Sequence, residues 1–218
     1  MSHDSMRSTL RIASRIVQTV AFEEAHMPTG TRPPLRADAA RNRELLLAAA
    51  VRAFTAESTG GPAPTLDGIA KDAGVGIGTL YRHFPNRDAL VEAVYRNELD
   101  RLCAAAAELA AELPADQALR AWMDRFVDYV ITKKHLADSL HALVACGRNP
   151  FAQSRERMIE AVRSLQEAGV ADGTLRSDID AADVLVGTSG ICMAIADPEG
   201  RAQAGRLMDL LIDGLRPR

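Results

Sequence analysis

The sequence has few aromatic residues, few cysteines and no long hydrophobic run. Aromatic residues make up 4% of its 218 residues, while alanine, leucine, arginine and glutamate dominate. This composition favours an all-helical protein. The 3 cysteines form no Cys-x-x-Cys pair, which favours small apolar residues in a reducing cytoplasm over a disulfide framework. Without a membrane-spanning run or a signal peptide, we expect a cytoplasmic protein with no membrane partner.

A strongly basic charge is also missing. The net charge of −3 argues against a protein that binds nucleic acid over its whole surface. The charge is uneven, because residues 91–218 carry 15 basic and 20 acidic side chains, whereas residues 35–90 carry 7 and 6. Residues 1–34 carry 4 and 3. Any surface that binds a polyanion is therefore expected in the first part of the chain, and it must be local.

Residue patterns for catalysis, metal binding and cofactor binding are lacking. The GVGIG stretch at residues 74–78 is a GxGxG that follows a helical pattern, and no Walker lysine and no GxSxG occurs. Thr188 and Ser189 have no evident base nearby in the sequence. His135 and His141 would lie about 240° apart on a helix, so they cannot share a metal through one face. We expect no catalytic residue, no metal and no cofactor.

Helical periodicity begins near residue 38, after a segment that stands apart. Residues 1–34 end in breaker-rich sequence and have three interpretations: a mobile arm, residues added by an upstream start codon, or a basic arm that touches DNA. A long helix then fits residues 38–57, and Thr65 is the expected N-cap of a short helix that Gly74 ends. The later pattern predicts helices that start at 86 or 87 and end at 112, and over 115–132, 134–146, 151–168, 180–196 and 199–215.

Residues 76–84 form an unusual short helix in this pattern. On a helical wheel, Gly76, Leu80 and Phe84 share the face expected to be buried, and Gly78 and Arg82 lie opposite. A helical glycine costs about 1 kcal/mol relative to alanine. A close approach of the backbone to another surface would offset that cost, and the major groove of DNA admits one helix. The alternative from the wheel alone is a surface helix hairpin with a solvated polar face.

The stretch TLDGIAKDAGVGIGTLYRHFPNRDALVEAV closely resembles the DNA-binding domain of TetR-family transcriptional regulators. The preceding RNRELLLAAAVRAFTA is similar to the first helix of that family. The resemblance covers about residues 38–95. It implies an all-α homodimer with an N-terminal three-helix helix-turn-helix domain and a C-terminal helical bundle for ligand binding and dimerisation. We accordingly divide the chain into an arm at 1–34, the DNA-binding domain at 35–85 and the bundle at 86–218.

The resemblance also implies which residues face DNA. Those expected at phosphates are Thr65, Tyr81, His83 and Arg87, with Lys71 either a phosphate ligand or a solvated lysine. Those expected nearest the bases are Gly76, Ile77, Gly78, Thr79 and Arg82. From the wheel, Arg82 and Thr79 are the side chains that can reach base edges. A glycine at position 76 leaves fewer side-chain contacts to bases than a longer residue would.

The C-terminal part matches the family in layout, so its sites are read from residue chemistry. Trp122, Met123, Phe126 and Tyr129 lie on a helical stripe that is either plain core or the wall of a ligand pocket. Candidate neighbours from other helices are His141, Cys146, Met158 and Met193. Gly187, Gly190 and Ala194 allow close helix packing, which favours a homodimer through residues 180–215, although packing within one subunit is the alternative.

These observations favour a ligand-responsive transcriptional regulator that binds a double-stranded DNA operator. We expect a repressor that a small and lipophilic effector releases from its operator. A transcriptional activator of the same fold is one alternative. A helical small-molecule enzyme is another, but the missing acid–base and metal patterns argue against it.

Overall fold

A computed structural model describes residues 35–58, 60–194 and 200–217 of the chain. The predicted arm at residues 1–34 lies outside the described residues. In the described part every regular element is a helix, as the sequence composition predicts. We number these helices in chain order: α1 (Leu35–Ser58), α2 (Leu66–Asp72), α3 (Ile77–His83), α4 (Arg87–Glu112), α5 (Ala115–His135), α6 (Ala137–Ala145), α7 (Ser154–Asp172), α8 (Ala181–Ala194) and α9 (Arg201–Leu215).

Residues 42–218 form one compact unit. Its N-terminal helices are held by apolar residues at helical spacing. Leu46, Leu47 and Phe54 of α1 are buried, and so is Ile69 of α2. Burial of this stripe fixes which face of each helix points inward, because tertiary packing rather than intrinsic propensity supplies most of the stability of short helices.

Helix α4 links the N-terminal helices to the C-terminal bundle. It begins at an N-cap formed by Asn86, whose side-chain oxygen accepts from the backbone N–H of Ala89 at 2.8 Å. It then continues through 26 residues and packs on α5 and α7. The predicted boundary at residue 85 therefore falls one residue before the N-cap of a helix that enters the bundle.

The last two helices pack on each other, and α9 also packs on α5. Helix α8 is largely apolar, yet only part of its surface is buried within the subunit. Several helix boundaries differ by three or four residues from the sequence prediction: α1 begins at Leu35, α5 ends at His135, α6 begins at Ala137, and α7 begins at Ser154 and ends at Asp172. Turns occupy the residues just before α7, and Gln153 adopts a left-handed backbone with φ 63°. Among the described helices, none combines the length and the apolar character that crossing a membrane requires.

Candidate nucleic-acid interface

A tight turn joins α2 to α3. The hydroxyl oxygen of Thr65 caps α2 by accepting from the N–H of Gly68 at 3.0 Å. Gly74 has φ +65°, and the N–H of Val75 donates to the carbonyl of Ala70 at 2.9 Å, which closes the end of the helix. Two helices joined by such a short glycine turn form a helix-turn-helix, in which the second helix is the reader.

The inner face of α3 is apolar. Leu80 and Phe84 are both buried in the core. Gly76 is not part of this face, contrary to the prediction from the helical wheel. It is exposed and precedes the helix as its N-cap, and its carbonyl accepts from the N–H groups of Thr79 and Leu80. The wheel misplaced Gly76 because the helix begins one residue later than the wheel assumed.

The outer face of α3 exposes bare backbone beside a few side chains. A Cβ added at Gly76 or at Gly78 would meet no atom within 4 Å. Ile77 is 38% exposed and Tyr81 is 51% exposed, and Arg82 is exposed as well. The packing of the domain therefore does not require glycine at either position.

The basic side chains next to this face differ in whether they contact other groups of the subunit. Within the described residues, Arg82 and Lys71 make no ion pair and no side-chain hydrogen bond. The guanidinium of Arg43 instead lies over the ring of Phe84, 5.8 Å from its centroid. Arg82 and Lys71 are thus available to an external anion, since no carboxylate from the described part neutralises them.

Arg87 contacts three groups within the subunit. Its guanidinium donates to the Glu57 carboxylate at 2.9 Å and to the Pro64 carbonyl at 2.8 Å. It also stacks over the ring of Phe54, 5.0 Å from the centroid. These contacts tie the start of α4 to the end of α1. Arg87 is thus engaged within the subunit, and the expected phosphate contact would compete with its ion pair to Glu57.

The interior of the bundle contains a stacked pair of aromatic rings. Trp122 and Phe126 have ring centroids 5.6 Å apart at an interplanar angle of 29°. The indole Nε1 of Trp122 donates to the carbonyl of Leu102 at 2.9 Å. Met123 is also fully buried here. A buried indole with a satisfied N–H anchors α5 on α4.

A buried chain of hydroxyl groups crosses the same interior. The Tyr129 hydroxyl donates to the Tyr95 hydroxyl at 2.9 Å, which donates to Ser154 Oγ at 3.0 Å. Burial raises the pKa of the Tyr129 phenol, and the hydrogen bond to Tyr95 raises it further, so Tyr129 acts as a neutral donor. These linked hydroxyl groups connect α5, α4 and α7 through polar contacts within an otherwise apolar core.

The candidate neighbours of this interior are not all brought together. Met158 is partly buried and packs against the core. His141, Cys146 and Met193 are exposed, and Met193 reaches 79% exposure. The expectation that His141 and Met193 join the aromatic stripe is therefore wrong for the single subunit, because their helices turn these positions outward.

Models of two protein families match two parts of this chain. The model for bacterial regulatory proteins of the TetR family matches residues 46–94, which include α2 and α3. A second model, described as the C-terminal domain of SbtR-like transcriptional regulators, matches residues 114–217. A TetR transcriptional regulator from Streptomyces coelicolor has 49% sequence identity, covers 80% of this chain and 98% of its own, and superposes with a TM-score of 0.74. The chain belongs to the TetR family.

Two further relatives agree with the TetR assignment. The HTH-type transcriptional repressor KstR2 of Rhodococcus jostii is 31% identical over 167 residues, which are 70% of this chain and 81% of that protein. A TetR regulatory protein from Mycobacterium vanbaalenii is 33% identical, covers 84% of this chain and 100% of its own, and has a TM-score of 0.67. This TetR-family chain is a DNA-binding transcriptional regulator, and repression is favoured over activation.

TetR-family regulators bind operators, dimerise and respond to small molecules.

In this TetR-family chain the contacts that could not be predicted from the sequence are long-range. Tyr95 and Ser154 lie 59 positions apart, and no local signal pairs them. A tyrosine within the apolar stripe of α4 was the available hint, because a buried phenol needs a hydrogen-bond partner. Among the described residues, no group of three or more His, Cys, Asp or Glu side chains is arranged to hold a metal ion.

Proposed function

We propose that the chain is a homodimeric repressor that places α3 in the major groove of its operator, in the bacterial cytoplasm where that DNA lies. The observation that carries this proposal is the outer face of α3. Gly76 and Gly78 leave open backbone there that the subunit does not use. An α-helix that enters the major groove presents its early residues to base edges, and missing side chains allow a closer approach.

The proposed contacts divide between bases and phosphates. Arg82 reads a base edge, because it lies on the outer face and is unpaired within the described part of the chain. Thr79 is partly buried and lies beside it. Polar groups at the rim of this face make the proposed phosphate contacts, namely those of Thr65, Lys71, Tyr81 and His83. The Thr65 hydroxyl accepts a hydrogen bond as the N-cap of α2 and can still donate its own hydrogen to a phosphate.

The proposed homodimer forms through α8 and α9. Large apolar side chains are exposed on both helices, namely Val186, Met193 and Leu210. A Cβ at Gly190 would meet no atom within 4 Å, whereas one at Gly187 would meet Leu211 of α9 at 3.5 Å. Gly190 is therefore free to face a second subunit, and Gly187 serves packing within one subunit. Such a dimer would set the two α3 helices about 34–36 Å apart for successive major grooves.

The proposed effector site is the interior of the bundle, residues 86–218, while residues 35–85 hold the DNA. The stacked rings of Trp122 and Phe126 and the buried hydroxyl chain offer apolar surface with a few polar groups, which suits a lipophilic molecule. An effector that favours another spacing of the DNA helices lowers operator affinity, and by linkage DNA lowers effector affinity equally.

The test begins with a gel shift of the full chain on its own upstream DNA at low salt. We expect a retarded complex that Arg82→Ala weakens. Absence of a complex at low salt would remove the proposal. Effector binding can be followed by the emission of Trp122, since the chain has 1 tryptophan. A panel of lipophilic compounds should include one whose affinity drops when operator is present, and equal affinities would exclude that compound as an inducer.

A further inference from the structure

Ile77 lies on the outer face of α3 and is one of the exposed large apolar residues of the described part of the chain. It is the first residue of the helix and is 38% exposed. The glycines on both sides of it lack a side chain and have open space around them. In the stretch from Gly76 to Gly78, Ile77 therefore offers the one side chain that an approaching surface would meet.

The chemistry of this side chain limits what it can recognise. A sec-butyl group forms no hydrogen bond, so it cannot read the donors and acceptors of a base edge. The major groove presents one apolar group on an unmodified base, the C5-methyl of thymine. Contact with that methyl would remove exposed apolar surface from water on both sides, and this is favourable.

We infer that Ile77 is a specificity-determining residue that contacts the C5-methyl group of a thymine in each operator half-site. This inference rests on the proposed function, because it takes α3 to lie in the major groove. Bare backbone at Gly76 and Gly78 lets the helix approach closely enough for a side chain as short as isoleucine to reach the base edge. Arg82, on the opposite end of the helix, reads a separate position.

The experiment compares thymine with deoxyuridine, which lacks only the C5-methyl. An operator is first selected from random duplex DNA with the full chain. Each thymine of a half-site is then replaced in turn by deoxyuridine, and affinity is measured for wild type and for Ile77→Ala. We expect one replacement to weaken the wild type about fourfold per half-site, the effect of about one buried methyl or methylene group. The same replacement should leave Ile77→Ala unaffected.

Leu45 provides a matched control, because it is an apolar residue of α1 with 40% exposure. Leu45→Ala should keep the same deoxyuridine-sensitive position as the wild type. Binding of Ile77→Ala to non-specific DNA at low salt, unchanged from wild type, shows that the variant is folded. If no position is sensitive in wild type, or if Ile77→Ala keeps the sensitivity, the inference is overturned while the proposed function stands. A selection that enriches no sequence contradicts the proposed function and this inference with it.

Discussion

The guanidinium of Arg87 lies over the ring of Phe54, with its central carbon 5.0 Å from the ring centroid. The same group donates to Glu57 and to the carbonyl of Pro64. One side chain thus fastens the first turn of α4 to α1 and to the loop that leads to α2. Only residues 84–86 separate α3 from α4, so we expect this joint to help orient the reader helix.

Arg87→Ala should therefore destabilise the fold by about 1–2 kcal/mol, through the loss of a cation–π contact and a partly exposed ion pair. It should leave the salt dependence of operator binding nearly unchanged, because Arg87 neutralises no phosphate in this account. Arg52→Ala is the matched control, since Arg52 pairs with Asp72 in a well-exposed ion pair and should cost less. Thermal unfolding and a salt titration of DNA affinity measure the two effects. If Arg87→Ala lowers the salt dependence of operator binding by about one ion per half-site, Arg87 contacts a phosphate.

Gly78→Ala should raise stability and lower operator affinity together. Alanine in place of a helical glycine adds roughly 0.5–1 kcal/mol of stability, and the new Cβ meets no atom of the subunit within 4 Å. In the major groove the same methyl group would hold the backbone away from the bases. Gly78→Val should weaken binding further. If both variants bind the operator as tightly as wild type, close approach at Gly78 is not what the glycine provides.

Much of the fold could be predicted from the sequence because its signals are local. The cap at Thr65, the turn at Gly74 and the helix starting after Asn86 are all found where the pattern places them. The site was predicted less completely. The engagement of Arg87 by Glu57 joins residues 30 positions apart, and a helical wheel contains no information on such partners. The outward positions of His141 and Met193 likewise depend on how whole helices pack.

Tyr129→Phe should cost about 1 kcal/mol, because it removes one hydrogen bond from the buried hydroxyl chain without opening a cavity. Tyr81→Phe is the control and should have little effect on stability, since that phenol is exposed. Burial raises the pKa of Tyr129 in the folded state. The unfolded state therefore loses its proton first as the pH passes about 10, and stability falls above that pH. Tyr129→Phe should reduce this alkaline loss, and an unchanged alkaline profile would contradict the assignment.

Gly190→Leu should shift the protein from dimer to monomer while each subunit stays folded. Gly190 faces open space in the single subunit, and Gly187 faces Leu211. Gly187→Leu should instead lower the thermal stability of the subunit, because the added side chain collides with α9. Light scattering after size exclusion, together with thermal unfolding, separates the two variants. A dimer unchanged by Gly190→Leu would place the interface away from this face of α8.

The central claim is that the outer face of α3 reads operator bases. Substitution of Arg82 tests this claim most directly. Operator variants should be selected with wild type and with Arg82→Ala at two salt concentrations. The account predicts that Arg82→Ala loses roughly 1–3 kcal/mol of discrimination and relaxes the base preference at one position of each half-site. An unchanged base preference with only a smaller salt slope would contradict it, because Arg82 would then contact a phosphate.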